Sequence, residues 1–463
     1  MIDIEFVEKL RTAVGDTQVR LDPDDLQRYG TDWTKRGPVR ACALALPQTP
    51  EQVQAIVRLC AQYAVAIVPS GGRTGLAAGA AAQNGELILS LEQLNRLDSV
   101  DLTGLTVRVQ AGVTNQALQD HCAIYGLCWP IDLASKGTAT IGGNLATNAG
   151  GLKVIARGHA RQWVLGLQVV TAQGDLLDLG GALEKNNTGL DLRQLFIGSE
   201  GTLGIITAAT LKLTHPTHKS HVMLLGLQDL PQALDLLAQL RQQAVVLQAF
   251  ECFSAFCLQQ VIRNRQVAQP LATLVPYYAL IELTIAPDFA LDAWLAQRLQ
   301  LGEILDGTLA QDARQARALW QYRESITESL TQGGPPHKND VALPIAQLPA
   351  FVDALHNEWL AKRPDWQVAL FGHLGDGNLH INVLRPQGSD PLEFAQKMAD
   401  ADLEMFAIVQ RFKGSISAEH GVGLVKKPYL HFSRTPEELA MMRAVKLALD
   451  PHNLLNPGKI FDL

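Results

Sequence analysis

Residues 135–151 read SKGTATIGGNLATNAGG. Nearly every position carries a small side chain, so the main chain itself is the surface that a partner would meet. Glycine tolerates φ > 0 and close approach to the backbone. Successive N–H groups in such a loop can hold an anion without a cationic side chain. Two more stretches share this character. PSGGRTGL (69–76) continues the apolar run AVAIVP (64–69), and IGSEGTLGIITAATLKL (197–213) is a glycine loop feeding a strand. Each alone reads equally as a tight turn in a compact α+β domain. Three in one domain, each beside an apolar strand, point to a large phosphate-bearing cofactor laid along it. Asn144 and Asn148 would supply donors and acceptors to a heterocycle. No GK[ST] follows these loops, and none fits GxGxxG ahead of a helix and a distant acid. Neither a P-loop nor a Rossmann site is therefore expected.

Outward from these loops the pattern is mixed. Thr49-Pro50-Glu51-Gln52 reads as a capping box with proline at the first helical position, and Val53, Ile56, Val57 and Cys60 then recur at helical spacing. A strand at 105–112, a helix at 115–125 and a hairpin through Gln173-Gly174 (strands 164–175 and 176–180) follow. The glycine density falls near 215. Beyond it come helix 231–243, strands near 245–250 and 275–285, helix 391–412 and a last helix capped by Thr435-Pro436-Glu437-Glu438. The divisions read as 1–215, 216–422 and 423–463, the last returning toward the first.

At 463 residues, 47% hydrophobic and 18% charged, the chain is a globular protein of two or three domains. A net charge of −7 with no basic run argues against nucleic acid as the main partner. The N-terminus lacks the basic and apolar regions of a signal peptide, and no apolar run reaches the length of a membrane span. The six cysteines show no CxxC and read as reduced, buried thiols of a cytoplasmic protein.

GHLGDGNLH (372–380) holds two histidines. A two-residue turn at Asp376-Gly377 would set His373 opposite His380, with Asn382 on the same face. That pairing suits metal ligation, and it equally suits an ordinary polar sheet face.

PSGGRTGL, IGGNLATNAGG, IGSEGTLGIIT, GHLGDGNLH, SAEHGVG and NPGKI occur in this order. Over about residues 40–461 they resemble the FAD-dependent D-2-hydroxyacid dehydrogenases of the vanillyl-alcohol oxidase (PCMH-type) superfamily. The resemblance implies an α+β protein. A two-subdomain FAD-binding domain would be followed by a cap domain with an antiparallel sheet and flanking helices, and a C-terminal helical segment would return to the flavin. It implies FAD contacts at Pro69, Gly71, Gly72, Thr74 and Gly75; at Gly137, Thr140, Gly142, Asn144, Ala146 and Asn148; and at Glu200, Gly201, Ile206 and Asn456. Arg73 stands where some members attach FAD to a histidine, so a non-covalent cofactor is expected.

On the substrate side, Arg323, Thr327 and Lys338 match the D-2-hydroxyglutarate branch and would grip a carboxylate. Asn382 matches a substrate contact. His373, His380 and Glu419 match the ligands of a divalent metal, usually zinc in that branch, and His420 matches the general base. The implied reaction oxidises a D-2-hydroxyacid to the 2-oxoacid by hydride transfer to flavin N5. D-2-hydroxyglutarate is the expected substrate, with D-lactate, D-malate or glycolate as alternatives. The acceptor would be an electron-transfer flavoprotein or a quinone-linked carrier, and the partner of the chain itself would be a second copy, as a homodimer. Pro335-Pro336-His337 departs from the branch, and His337 reads as an exposed loop residue. Two other classes remain as rivals: a zinc hydrolase using the same ligands, and a flavin-binding subunit without activity of its own.

Overall fold

The computed structural model describes residues 4–217, 219–331 and 333–463. Helices and sheets are mixed throughout, as the α+β expectation requires. The chain divides into two compact units. The first runs to Gly151, resumes over His159–Pro216 and takes in Glu419–Leu463; the second comprises Leu152–Gly158 and Thr217–Ala418. The chain thus re-enters the first unit at Glu419, ahead of the 423 read from the sequence. The cause is local. Leu424 and Val425 both donate to the Ala77 carbonyl, and a Cβ on Gly423 would lie 2.0 Å from that oxygen. Among the described residues no helix is long and apolar enough to cross a membrane.

The first unit holds two four-stranded sheets. One orders β1 (Val19–Arg20), β2 (Ala43–Ala45), β4 (Leu87–Ser90) and β3 (Ile67–Ser70), with β2, β4 and β3 parallel. Its central strands read as unbroken apolar runs because both faces are covered. Leu87 and Leu89 pack with Val53, Ile56, Val57 and Cys60 of helix Pro50–Gln62, while Ile88 and Val68 pack with Tyr29 on the other side. Thr49 caps that helix through the Gln52 N–H at 3.3 Å. The Gln52 side chain, however, reaches Gln48 N rather than closing a reciprocal box.

The other sheet is antiparallel, in the order β5 (Thr106–Gln110), β8 (Ile205–Lys212), β6 (Val164–Val170) and β7 (Leu176–Leu179). The β6–β7 hairpin turns through Gly174 at φ 78°, as the sequence predicts.

A buried ammonium both braces the C-terminal segment and, through Thr202 O, ties it to the rest of this unit. In helix Pro436–Leu449, which carries the full Thr435–Glu438 capping box, Lys446 Nζ donates to Asp450, to Thr202 O and to Leu455 O. Asp450 accepts from Leu454 and Leu455 N–H. Leu455 then bridges Ile67 in parallel, which lays the segment along the β3 edge.

The second unit is built on one seven-stranded antiparallel sheet. Its order is β12 (Asp306–Leu309), β9 (His221–Leu227), β11 (Tyr277–Ile285), β10 (Val245–Ser254), β14 (Val368–Gly372), β15 (Asn378–Val383) and β13 (His337–Ala342). Pro276 stops short of β11, and buried Glu282 within that strand is paired by Lys153 and by the Trp320 indole, each at 3.0 Å.

Breaking a buried ion pair from one side costs about 3–5 kcal/mol. Asp450→Ala is expected to lose that much, seen as an earlier urea transition, with Asp450→Asn losing less because it keeps an acceptor. A wild-type transition in Asp450→Ala would show that the pair does not anchor the segment.

Candidate active site

The three glycine loops of the first unit enclose a solvent-open cleft of about 980 Å³. Pro69, Gly71, Gly72, Thr74, Gly75, Thr140, Gly142, Asn144, Ala146, Glu200, Gly201 and Ile206 all line it, and so does His420. Gly137, Asn148 and Asn456 are not among the lining residues. Gly137 sits in an exposed turn, and Asn148, at φ 50°, accepts the Arg161 N–H through its side-chain oxygen. Asp32, Arg73 and Ala111 line the cleft without having been expected there. Arg73 also has positive φ; its guanidinium lies 4.4 Å over the Tyr29 ring and donates to Gly71 O.

The glycines earn their positions in two ways. A Cβ on Gly72 would lie 2.1 Å from Thr138 O, and one on Gly142 2.6 Å from the Ala111 Cβ, so the loops interlock by bare backbone. A Cβ on Gly75 or Gly79 would meet only an acidic oxygen, at 3.5 Å, and would otherwise fill the cleft. Buried Asp32 Oδ2 and Asn456 Oδ1 have no hydrogen-bond partner within the protein. A dinucleotide rich in hydroxyl and amide groups fits both facts, since buried polar atoms are otherwise satisfied.

Glu200 organises the rim. It holds φ 52°, its N–H donates to Ala146 O, and its own carbonyl accepts Asn456 Nδ2 at 2.7 Å. Its carboxylate accepts the N–H groups of Val422 and Gly423 at 2.7 and 2.8 Å. Burial pushes its pKa up, opposed by those two donors. The loop carrying His420 is therefore pinned beside the cleft, and the His420 ring lies 3.8 Å from Glu419.

In the second unit one face of the sheet collects the polar residues. The β13–β15 register sets Lys338 opposite Asn382 and Asp340 opposite His380; the β14–β15 register sets Phe371 opposite His380. Cross-strand partners share a face, so all five side chains do. Arg323, at the end of helix Ala313–Glu324, is buried with its guanidinium 5.0 Å over Phe371. It pairs not with Glu324 but with Glu251 of β10, Nε to Oε2 at 2.7 Å. The other oxygen of Glu251 accepts from His373 Nδ1 at 2.7 Å. Burial raises the Glu251 pKa, but His373 and Arg323 outweigh it and hold the carboxyl below its usual range. Burial lowers the Lys338 pKa. Thr327, one turn beyond Arg323, is exposed.

Two sequence expectations need correction. Asp376-Gly377 is not a two-residue type I′ turn. Residues 373–377 form a longer connection with a 3₁₀ turn at Leu374–Asp376 and Gly377 at φ 86°, so Phe371, not His373, opposes His380. The slip is two residues. Side chains alternate with period two, so His373 stays on the predicted side, and the two rings still lie 5.5 Å apart. His337 is likewise no exposed loop residue. It opens β13 half-buried, and its Nε2 lies 2.9 Å from buried Asp402, which also accepts from Asn339.

Glu251, Asp340 and Asp402 were missed by sequence reasoning. Glu251 is a lone acid in an apolar strand, Asp340 lies in the polar strand HKNDVA, and Asp402 shares its helix with Asp400 and Glu404. The usable signal was that a carboxylate inside a core strand needs a buried cationic or N–H partner.

Because Gly72 has no room for a side chain, Gly72→Ala is expected to empty the cleft. The purified variant should lose most flavin absorbance near ~450 nm while its far-UV circular dichroism stays that of the parent. Retained absorbance would show that the 69–76 loop does not hold the cofactor.

Comparison with known proteins agrees with this geometry. The family model for the C-terminal domain of FAD linked oxidases matches residues 216–460, and that for an FAD binding domain matches 41–180. The D-2-hydroxyglutarate dehydrogenase of Xanthomonas citri pv. viticola is 46% identical over 98% of this chain and 96% of its own. That of Stutzerimonas stutzeri is 43% identical over the full length of both. The mitochondrial D-2-hydroxyglutarate dehydrogenase of Rattus norvegicus is 38% identical over 96% of this chain and 82% of its own. Among solved structures, p-cresol methylhydroxylase shares the fold at TM-score 0.77 and 18% identity, over 99% of this chain and 96% of that one. Alkyldihydroxyacetonephosphate synthase does so at TM-score 0.74 and 18% identity, over 99% and 86%. With its cleft, its glycine loops and its full-length relatives in agreement, the chain belongs to the FAD-linked oxidase family, among the FAD-dependent D-2-hydroxyacid dehydrogenases.

Proposed function

We propose that this chain oxidises D-2-hydroxyglutarate to 2-oxoglutarate. The observation that carries the reading is the polar sheet face of the second unit, where Lys338, Asn382 and His380 stand in register beside buried Arg323. Arg323 commits Nε to Glu251, so recognition of a substrate carboxylate falls to Nη1 and Nη2, the edge suited to a bidentate grip. Lys338 adds a point charge, Thr327 a hydroxyl, and Asn382 an amide. His420 takes the hydroxyl proton. The glycine loops and Asn456 would hold FAD without a covalent bond, and the cofactor would supply the acceptor, at N5, for the C2 hydride. His373, His380 and Glu419 would hold a divalent metal, zinc by the nitrogen-rich donor set, and such an ion lowers the pKa of a hydroxyl bound to it. His373 fits that role: with Nδ1 donating to Glu251, the lone pair lies on Nε2.

The product is the 2-oxoacid, and the two electrons leave for an electron-transfer flavoprotein or a quinone-linked carrier. The relatives named for D-2-hydroxyglutarate favour the five-carbon dicarboxylate over D-lactate, D-malate or glycolate. Anaerobic bleaching of the flavin by D-2-hydroxyglutarate, faster than by those three, is the expected result. A protein bleached only by D-lactate would overturn the substrate, and one bleached by none would favour a non-redox or inactive role. His420→Ala should slow the bleaching at saturating substrate.

Lys338 gives the reading a pH signature. Its pKa is lowered by burial, so its positive charge is lost at a lower pH than for an ordinary lysine as the solution becomes alkaline. KM should therefore rise toward alkaline pH. Lys338→Arg, charged throughout, should flatten that limb. Lys338→Met should raise KM at neutral pH about 10–100-fold, the weight of roughly 1.5–3 kcal/mol for a hydrogen bond to a charged group.

A further inference from the structure

One carboxylate serves two ends of the polar face. Glu251 lies in the interior of the seven-stranded sheet, on a strand flanked by β11 and β14, and is 1% exposed. A lone acid there is costly, and it persists only when its lone pairs are taken up by strong donors. Both oxygens are taken at the same short distance, 2.7 Å, by donors from different elements. Arg323 descends from helix Ala313–Glu324. His373 extends from the end of β14, one step beyond the last paired residues, Cys252 with Gly372. The backbone therefore brings Glu251 and His373 side by side, and the helix supplies the third member from above.

We infer that Glu251 is a positioning residue that sets Arg323 for the substrate carboxylate and His373 for the metal at once. This rests on the roles proposed above for Arg323 and His373. By accepting from Nε, Glu251 turns the outer edge of the guanidinium toward the substrate. By accepting from Nδ1, it fixes the imidazole tautomer, so that Nε2 carries the lone pair a metal needs. Because one rigid side chain orients both, it also fixes the spacing between the group that binds a carboxylate and the group that binds the adjacent hydroxyl.

Glu251→Gln distinguishes this role from packing alone. Glutamine has the same shape but one acceptor oxygen and one donor amine. It can satisfy Arg323 or His373, not both. If its oxygen faces Arg323, its amine faces His373 Nδ1 and forces the proton onto Nε2. If its oxygen faces His373, its amine abuts the Arg323 N–H. Flavin-loaded Glu251→Gln is expected to bind Zn²⁺ about 10–100-fold more weakly in competition with a colorimetric chelator. If instead it keeps its zinc affinity, KM for D-2-hydroxyglutarate at saturating Zn²⁺ should rise about tenfold or more, with a smaller change in kcat. Wild-type zinc affinity together with wild-type KM overturns the inference. Should Glu251→Gln not fold, Glu251→Asp, which draws the charge back by one methylene, is read in the same two assays against the same criterion. Arg323→Met and His373→Ala are run alongside. If Arg323→Met leaves KM unchanged and His373→Ala leaves zinc affinity unchanged, the roles assigned to those residues fail. If both behave as proposed and the Glu251 variant does not, only the inference about Glu251 fails.

Discussion

The Glu200 carboxylate is the constraint on which the cleft depends. Four segments far apart in sequence meet on this one residue: the Ala146 end of the small-residue loop, its own glycine loop, the Val422–Gly423 turn and the Asn456 segment. Two N–H groups aimed at one buried carboxylate form a charge-assisted clamp. The clamp fixes where His420 begins, because His420 is only two residues before Val422. Glu200 holds left-handed backbone in the turn ahead of β8.

Bare backbone does the corresponding work in the loops. Where Gly72 meets Thr138 O and Gly142 meets Ala111, two chains pass closer than any side chain permits. That requirement made this part of the molecule legible in the sequence. Glycine in such density has few purposes, and the residues able to satisfy a flavin, Asn144 and Asn456, lie within the same short motifs. The helix starts were legible for a similar reason: Thr435 and Glu438 act within four residues of each other, so their geometry is local. The Thr49 cap was found, but not the reach of Gln52 to Gln48, since the sequence does not say which of two neighbouring N–H groups lies nearer.

The hairpin shows where local reading ends. Asp-Gly is a strong turn signal, yet the connection is longer, because Gly375 is held against Ile155 and Phe250 and Gly377 fits under Leu343 O. Those are tertiary contacts and no short-range rule contains them. The error did not scramble the site, since a shift of two residues preserves the face. Glu251 was illegible for the opposite reason. Its segment, VVLQAFECFS, carries every mark of a core strand, and what makes the acid meaningful is an arginine 72 residues on and a histidine 122 residues on.

Taken as scaffold, that sheet face is poorly designed. Glu251, Asp340, Arg323, His373, His380 and Asn382 are all buried within one unit. Asp376 nearby is pushed up to about 6 by burial, although His373 opposes the shift. Replacing such a set with well-packed apolar residues is often neutral or stabilising by about 1–4 kcal/mol. The opposite face of the same sheet follows that logic: Leu370 pairs with Ile381, and Ala279 with Leu225. One sheet thus holds an apolar face and a second face on which an apolar cluster (Leu224, Phe253, Tyr278, Leu280 and Phe371) adjoins buried polar groups that cost stability. The pairings on the costly face run acid to base, Glu251 to Arg323 and His373, Asp340 to His380. Each acid therefore orients a base, leaving the outer edge of that base to act on something else. On the reading proposed above, the arginine edge would meet a carboxylate and the imidazole lone pair a metal ion beside the hydroxyl, which ties the buried charge to the chemistry of a 2-hydroxyacid.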